Sequence, residues 1–401
     1  MTFSFSQDFS KVMRFIFWRT AVGRIFFLTG ILLILPLPGF PKSHPHAPIQ
    51  SFITLISSYT YNFADPKTGY NGNYGDNWQL NGFTVNNADL TLRMSPGTKR
   101  HPYGIGFHLS LDTGQNIMFY QSYYGRISFF TKPFQQRNPY DIRQAYLNLN
   151  LQVGSGLDIH IGKEKELLGF ENFNPARNWN NTYSLLDYAE PDTFTGIFFS
   201  YNPIPSLNTT LGIANTQNAV IPINNVPTLE FNSSYQATKK LTFNGGFIEG
   251  PEQFTITVNN LLQQNFNPDF YGYLDGQYSP DRHWSFVLDG ESANYGAAHF
   301  HGTALYIHHQ DGLAHGLFEE TLRQTFASDP QGFFEETSIP GTPFHYTDTT
   351  LTLSYQPHHP KQMQFRLEFE HQAANHRVYP FDGTALQPSQ NTINFMVIDV
   401  F

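Results

Sequence analysis

The chain has 401 residues, enough for one large domain or two average ones, with 39 Phe, 22 Tyr, 16% aromatic residues in all, and only 14% charged residues. Ordinary soluble proteins carry about 25% charged residues, yet the mean hydropathy is -0.36, which fits a sheet with one apolar and one polar face. The formal net charge of -9 argues against nucleic acid as a partner, and a chain without Cys has neither a disulfide framework nor a thiolate metal site.

In chain order, residues 1–47 come first and read differently from the rest. Lys11, Arg14, Arg19 and Arg24 precede "IFFLTGILLILPLPGF", a basic segment followed by an apolar core. That is the layout of a secretory signal peptide. The apolar run, about 14 residues, is short of the roughly 20 that a spanning helix needs, and Pro36 and Pro38 break its far end. "SHPHA" offers cleavage after Ala47, leaving residues 48–401; the alternative is an uncleaved N-terminal anchor. Removing the segment takes away Lys11, Arg14, Arg19, Arg24 and Lys42 against Asp8 alone, so the remainder is the more acidic.

From residue 50 onward the sequence offers no convincing amphipathic helix. It offers segments of period 2, in which alternate residues point to opposite faces. The strands expected are 52–63, 83–94, 104–113, 142–152, 156–162, 194–201, 207–214, 229–236, 241–248, 269–278, 283–289, 298–308, 313–324, 345–355, 361–371 and 391–401. In "GIGFHLSLDTG", Ile105, Phe107, Leu109 and Leu111 share one face, and Gly106, His108, Ser110 and Asp112 the other. In "KQMQFRLEFEH", Met363, Phe365, Leu367 and Phe369 oppose Gln364, Arg366, Glu368 and Glu370.

The connections alternate in length. Those at 64–82, 114–141, 163–193, 215–228, 249–268, 325–344 and 372–390 are long, and "GESANYGAA" is moderate. Those at "SPGTKRHPY", "VGSG", "NPIPS", "ATKK", "SPDR", "HHQDG" and "QPHHPK" are shorter. Long loops on one side and short turns on the other, an even strand count and segments of about ten residues are the pattern of an antiparallel up-and-down β-barrel in an outer membrane. The expected fold is therefore all-β, a closed transmembrane barrel of about 16 strands with long extracellular loops and short periplasmic turns. The ending "NTINFMVIDVF" supplies the closing strand, and Phe63, Tyr201 and Tyr355 suit the aromatic girdles.

One stretch carries a family resemblance: "IRQAYLNLNLQVGSGLDIHIGKEKELLGFENFNPARNWNNTYSLLDYAEPDTFTGIFFSY", at 142–201. It resembles the OmpL-like β-barrel porins of Gram-negative bacteria, which implies an outer-membrane channel for small hydrophilic solutes. Many porins of sixteen strands are trimers, so a homotrimer is an expectation from the resemblance alone. Phe401, with Val397, Phe395 and Ile393 at alternate positions before it, is similar to the C-terminal signature read by the outer-membrane barrel assembly machinery; Asp399 departs from it.

A barrel of this size holds a water-filled lumen, and selectivity then depends on the charges lining it. By parity, the inward-facing charges are Asp89, Arg93, His108, Asp112, Asp158, His160, Arg366, Glu368 and Glu370. The longest connection, 163–193, is the third long one, the position at which general porins fold a loop into the lumen. It is expected to form the constriction, with Glu171 and Arg177 facing the pore. The acidic excess points to a mild preference for cations.

Two further readings compete. A barrel enzyme of lipase or protease type would keep a Ser/His or Asp/His set at its rim; the sequence has no GxSxG elbow. A soluble secreted carbohydrate-binding protein could use the aromatics for stacking, but its oily strand faces would need a second layer that the sequence does not offer. His299 and His301 in "HFHG" share a face at a spacing that a metal could use, without an evident third ligand, so neither a metal nor another cofactor is expected.

Overall fold

The protein is described by a computed structural model. It describes residues 48–66, 71, 81–97, 103–118, 139–187, 189–222, 226–251, 255–258, 261–264, 269–295, 298–330, 343–380 and 385–401. The expected signal segment, 1–47, lies outside these residues.

Sixteen antiparallel strands form a closed barrel. They are β1 (Gln50–Asn62), β2 (Gly82–Met94), β3 (Gly104–Thr113), β4 (Tyr140–Leu151), β5 (Leu157–Lys165), β6 (Thr193–Ile204), β7 (Leu207–Ala214), β8 (Thr228–Thr238), β9 (Leu241–Gly250), β12 (Asp269–Tyr278), β13 (Trp284–Tyr295), β14 (Ala298–Leu313), β15 (Gly316–Asp329), β16 (Phe344–Pro357), β17 (Met363–Ala374) and β20 (Ser389–Val400). Each pairs with its neighbour in sequence. Two small hairpins, β10 (Thr255–Val258) with β11 (Leu261–Gln264) and β18 (Tyr379–Pro380) with β19 (Leu386–Gln387), decorate long connections. Every expected strand has its counterpart, shifted by a few residues at the ends.

β20 closes the ring on β1, with Thr54 opposite Val400 and Asn62 opposite Thr392. Phe401 continues that ladder. Its N–H donates to Ile53 O at 2.8 Å, and Ile53 N–H donates to Phe401 O at 3.1 Å.

Alternation sets the two faces. On β1, Thr54, Ile56, Ser58, Thr60 and Asn62 are buried on the inside, while Ile53, Leu55 and Tyr61 are exposed on the outside. The same order, polar inside and oily outside, holds on β17 and on most of β16 and β20, where Phe344, Tyr346, Met396 and Ile398 are the inward apolar exceptions. On β12–β14 the inside is oily as well: Tyr271, Tyr273, Val287, Ala293, Tyr295, Phe300, Ala304 and Tyr306 all belong to one buried cluster. Two connections differ from expectation: "HHQDG" lies within β14, so the chain turns at Ala314 and His315 instead, and the oily inner face explains the other. "ESANY" carries its apolar residues, Ala293 and Tyr295, on the inward face and Ser292 and Asn294 on the outward one. The strands therefore run on to Tyr295 and resume at Ala298, and no moderate loop separates them.

What fills the inside of β12–β14 is the connection between β5 and β6. Leu168, Leu185, Leu186 and Ala189 of this loop join the barrel residues in the same cluster, with Phe170 and Trp179 packed against it. Two inward glycines make room. A Cβ on Gly302 would stand 2.4 Å from Leu186 Cδ2, and one on Gly246 would stand 2.7 Å from Leu168 Cδ2.

Candidate functional site in the lumen

The loop between Lys165 and Thr193 folds into the lumen because both its apolar side chains and its backbone polar groups find partners there. Its first half turns on asparagines. Asn172 N–H donates to Asn178 Oδ1, and Asn178 Nδ2 donates back to Asn172 O, both at 2.7 Å. Asn174 caps the single 3-10 turn Pro175–Arg177 by accepting from Ala176 N–H at 3.0 Å. Ala176 rests on Ile56, Met396 and Ile398 of β1 and β20. The loop thus leaves the wall at β5, crosses the lumen to β1 and β20, and returns along the inside of β17–β12 to β6.

Barrel-wall charges hold it in place. Arg323 of β15 is fully buried. It donates to Glu171 Oε1 at 3.1 Å, Asp348 Oδ2 at 2.7 Å, Thr350 Oγ1 at 3.1 Å, and both the hydroxyl and the carbonyl of Thr182. Glu370 stands 3.8 Å away. Glu368 accepts from the loop backbone, Asn181 N–H at 2.6 Å and Thr182 N–H at 3.0 Å, and from the hydroxyls of Thr182 and Thr352. Arg366 donates to the carbonyls of Pro175 and Asn180 at 3.0 and 3.1 Å. Turns in a loop leave N–H and C=O groups unpaired, and burying such groups without partners is costly. Here charged side chains satisfy them, and charge-assisted hydrogen bonds are the stronger kind.

At the other foot, Arg143 of β4 pairs with Asp192 at 3.3 Å and lies 3.4 Å over the ring of Phe173. Asn218 accepts from the N–H groups of Asp192 and Thr193 and donates to Asp192 Oδ2. Burial pushes the carboxyl of Glu166 up to about 7 and that of Asp192 up to about 6, the latter despite Arg143. Burial also raises Glu171, against the pull of Arg323, and raises Glu190 well above the carboxylate range, with Glu291 adding repulsion.

The residues expected to line the pore fall into two groups. Arg366, Glu368 and Glu370 do point inward, but the loop covers them and they are buried. Glu171 is likewise a correction: its carboxylate turns to Arg323 and the Ser184 N–H and away from open space. Asp112 on β3 and its register partner Asp89 on β2 are buried, and Asp89 accepts from Ser110 Oγ at 2.5 Å. The second group stays open. Arg177, at the loop's crossing point, is exposed, and it lies within electrostatic reach of His108. Arg93 is exposed, held over Phe52 at 4.4 Å and bonded to Gln50 at 3.1 Å. His108, Tyr146 and His160 stack in a row across β3, β4 and β5, with centroids 5.2 and 4.5 Å apart. All three are half-buried, as is Asp158, which accepts from Asn150 Nδ2 at 2.6 Å. His160 Nδ1 is tied to Glu164 at 2.8 Å.

Among the wall charges outside the expected set, Arg323 and Arg143 are the two cations that hold the loop. Arg323 stands in plain alternation, with Thr321, Arg323 and Thr325 facing in while Leu322 and Phe326 face out, whereas a bulge between Ile142 and Gln144 turns Arg143 inward against the phase of the outward Ala145 and Leu147. His299 and His301 lie exposed on the outer face, and His299 meets Asn294.

A lumen crossed by an anchored loop, inside a barrel of sixteen strands, is the construction of a diffusion channel. The family described as "Putative beta-barrel porin-2, OmpL-like" matches residues 54–401. The chain belongs to this family. Among solved structures, it is similar to the outer-membrane channel DcaP of Acinetobacter baumannii (TM-score 0.55, 10% identity, 90% of this chain and 99% of that one). It is also similar to an anion-selective porin from Comamonas acidovorans (TM-score 0.54, 10% identity, 88% and 99%) and to OmpT, an outer membrane protein of Vibrio cholerae (TM-score 0.51, 8% identity, 90% and 100%). At these identities the likeness concerns the fold. No curated protein matches the chain. This porin is thus an outer-membrane protein that forms a water-filled channel for passive diffusion of small hydrophilic solutes. Its long connections leave the strands at the extracellular end and its short turns join them at the periplasmic end.

Proposed function

We propose that the loop between β5 and β6 sets the solute filter. The passage would run between Arg177 at the loop's crossing point and the wall formed by Arg93, His108, Tyr146, Asp158 and His160. The observation that carries this reading is the loop's path: it spans the lumen and is fixed by Arg323, Arg366, Glu368 and Arg143. Among the described residues, the exposed charges beside the passage are Arg93 and Arg177, both positive. Four acids expected to line the pore, Asp112, Glu171, Glu368 and Glu370, are buried, and Asp158 is left half-buried on the wall. The narrow part would therefore favour anionic and neutral solutes, while the net charge of -9 supports the opposing, mild cation preference. The channel would act without catalysis. Two partnerships complete the reading: a homotrimer, a form recorded for the Vibrio cholerae protein, and recognition of Phe401 by the barrel assembly machinery.

Reversal potentials across a planar bilayer in a KCl gradient test the filter. A chloride-leaning potential that Arg177→Glu turns toward potassium supports it. A potential indifferent to both Arg177→Glu and Arg93→Glu refutes the proposed passage.

A further inference from the structure

At the periplasmic rim, away from the lumen, three side chains converge. His283 sits in the turn between β12 and β13, and His309 and Asp311 lie near the end of β14. Each offers one ligand atom, and these atoms lie within 4.8 Å of one another. His283 Nδ1 is 2.9 Å from Asp311 Oδ1, and His309 Nε2 is 3.7 Å from Asp311 Oδ2. His309 turns its other nitrogen, Nδ1, toward Glu320 Oε2 at 3.8 Å; Glu320 is its register partner on β15.

We propose that His283, His309 and Asp311 bind a divalent transition metal of the zinc class, with water completing a tetrahedral shell. The donor set decides the class. Two imidazoles and one carboxylate suit zinc, copper or nickel, whereas calcium and magnesium seek shells of oxygen. Glu320 occupies the place of an outer carboxylate that orients a ligating imidazole. Asp311 and Glu320 together balance a dication. The bound ion would clip the turn between β12 and β13 to β14.

One neighbour opposes the site. Arg282 Nε donates to His283 Nε2 at 3.0 Å, which leaves the ring's proton on Nδ1, where Gln310 O accepts it at 3.0 Å. A metal on Nδ1 needs that proton on Nε2, so Arg282 must swing away. Arg282 is exposed and free to do so, but its charge and its hydrogen bond both weaken the site. Trp284 supplies a reporter, since its ring lies 4.4 Å from that of His309.

The test uses the full chain, untagged and in detergent micelles, titrated calorimetrically with zinc chloride. Copper quenching of Trp284 fluorescence, with Trp284→Phe as the blank, gives a second readout. One zinc per chain is expected, undisturbed by a large excess of calcium. His309→Ala or Asp311→Asn should weaken it at least about tenfold, Arg282→Gln should tighten it, and His299→Ala should leave it unchanged. Unaltered conductance and heat-modifiability would show that the variants fold. Folded His309→Ala that binds zinc as tightly as the wild type, or a wild type that binds none, overturns the proposal.

Discussion

Arg323 on the barrel wall and Glu171 on the loop meet at 3.1 Å with side chains 0% and 4% exposed. Asp348 and Glu370 stand on the same guanidinium, so its removal leaves three carboxylates facing one another. Breaking a buried pair from one side costs about 3–5 kcal/mol. Arg323→Ala is expected to lower the temperature at which the barrel unfolds in detergent gels and to raise single-channel conductance as the loop loosens. Glu171→Ala should do the same more weakly, and adding it to Arg323→Ala should change little. Additive effects of the two substitutions on conductance would show that this pair does not hold the loop.

Gly302 and Leu186 give a steric counterpart to that electrostatic tie. A methyl at position 302 would overlap Leu186 Cδ2 at 2.4 Å and crowd Phe326 O at 2.8 Å. The side chain can move where the strand cannot, so the loop gives way. Overpacking of this kind costs about 1–3 kcal/mol. Gly302→Ala is expected to increase current noise and conductance while leaving ion preference nearly unchanged. Quiet channels of wild-type size would mean that the leucine has room to spare.

The barrel was legible because its signal is local. Alternation in "GIGFHLSLDTG" or "KQMQFRLEFEH" names the faces, and the spacing of turns names the topology. The loop's fold was not legible, because it depends on residues far apart in the chain. Alternation turns Arg366 and Glu368 inward, but only the fold reveals that they meet Asn180, Asn181 and Thr182. Nothing local distinguishes a lumen acid in water from one capping a loop. A signal did exist at β12–β14, where tyrosines and alanines occupy inward positions; an oily inner wall calls for something oily to cover it. The histidines show the same limit, since His283 comes from the turn between β12 and β13 and His309 from β14.

The charges at the passage make a prediction of their own. Arg93 and Arg177 are exposed, so solvent screens them and their substitution should scarcely affect stability. Ion preference should respond, and most strongly at low salt, where the Debye length is about 30 Å at 0.01 M against 3 Å at 1 M. Arg177→Glu is expected to move the reversal potential toward potassium, and Arg93→Glu with it to move it further. A shift equally large at 1 M salt would contradict an electrostatic filter and point to a change in pore width.

The foot of the loop should respond to pH. The carboxyls of Glu166 and Asp192 have been raised by burial to about 7 and about 6. The folded state therefore holds their protons more tightly than the unfolded chain does. This contribution to stability is complete below the ordinary carboxylate range and is lost as pH rises through 6 to 7. The loop's anchorage should accordingly weaken between pH 5 and pH 8 (by about 1.4 kcal/mol for each tenfold difference in proton affinity). Hydrogen exchange of the backbone in 166–192 should speed up over that interval, and channel noise should rise with it. Glu166→Gln keeps a neutral side chain of the same shape and should flatten the upper part of the response, leaving the part near pH 6 to Asp192. An exchange rate in this loop that tracks only the intrinsic pH dependence of amides would show that the two carboxyls are already ionised in the folded porin.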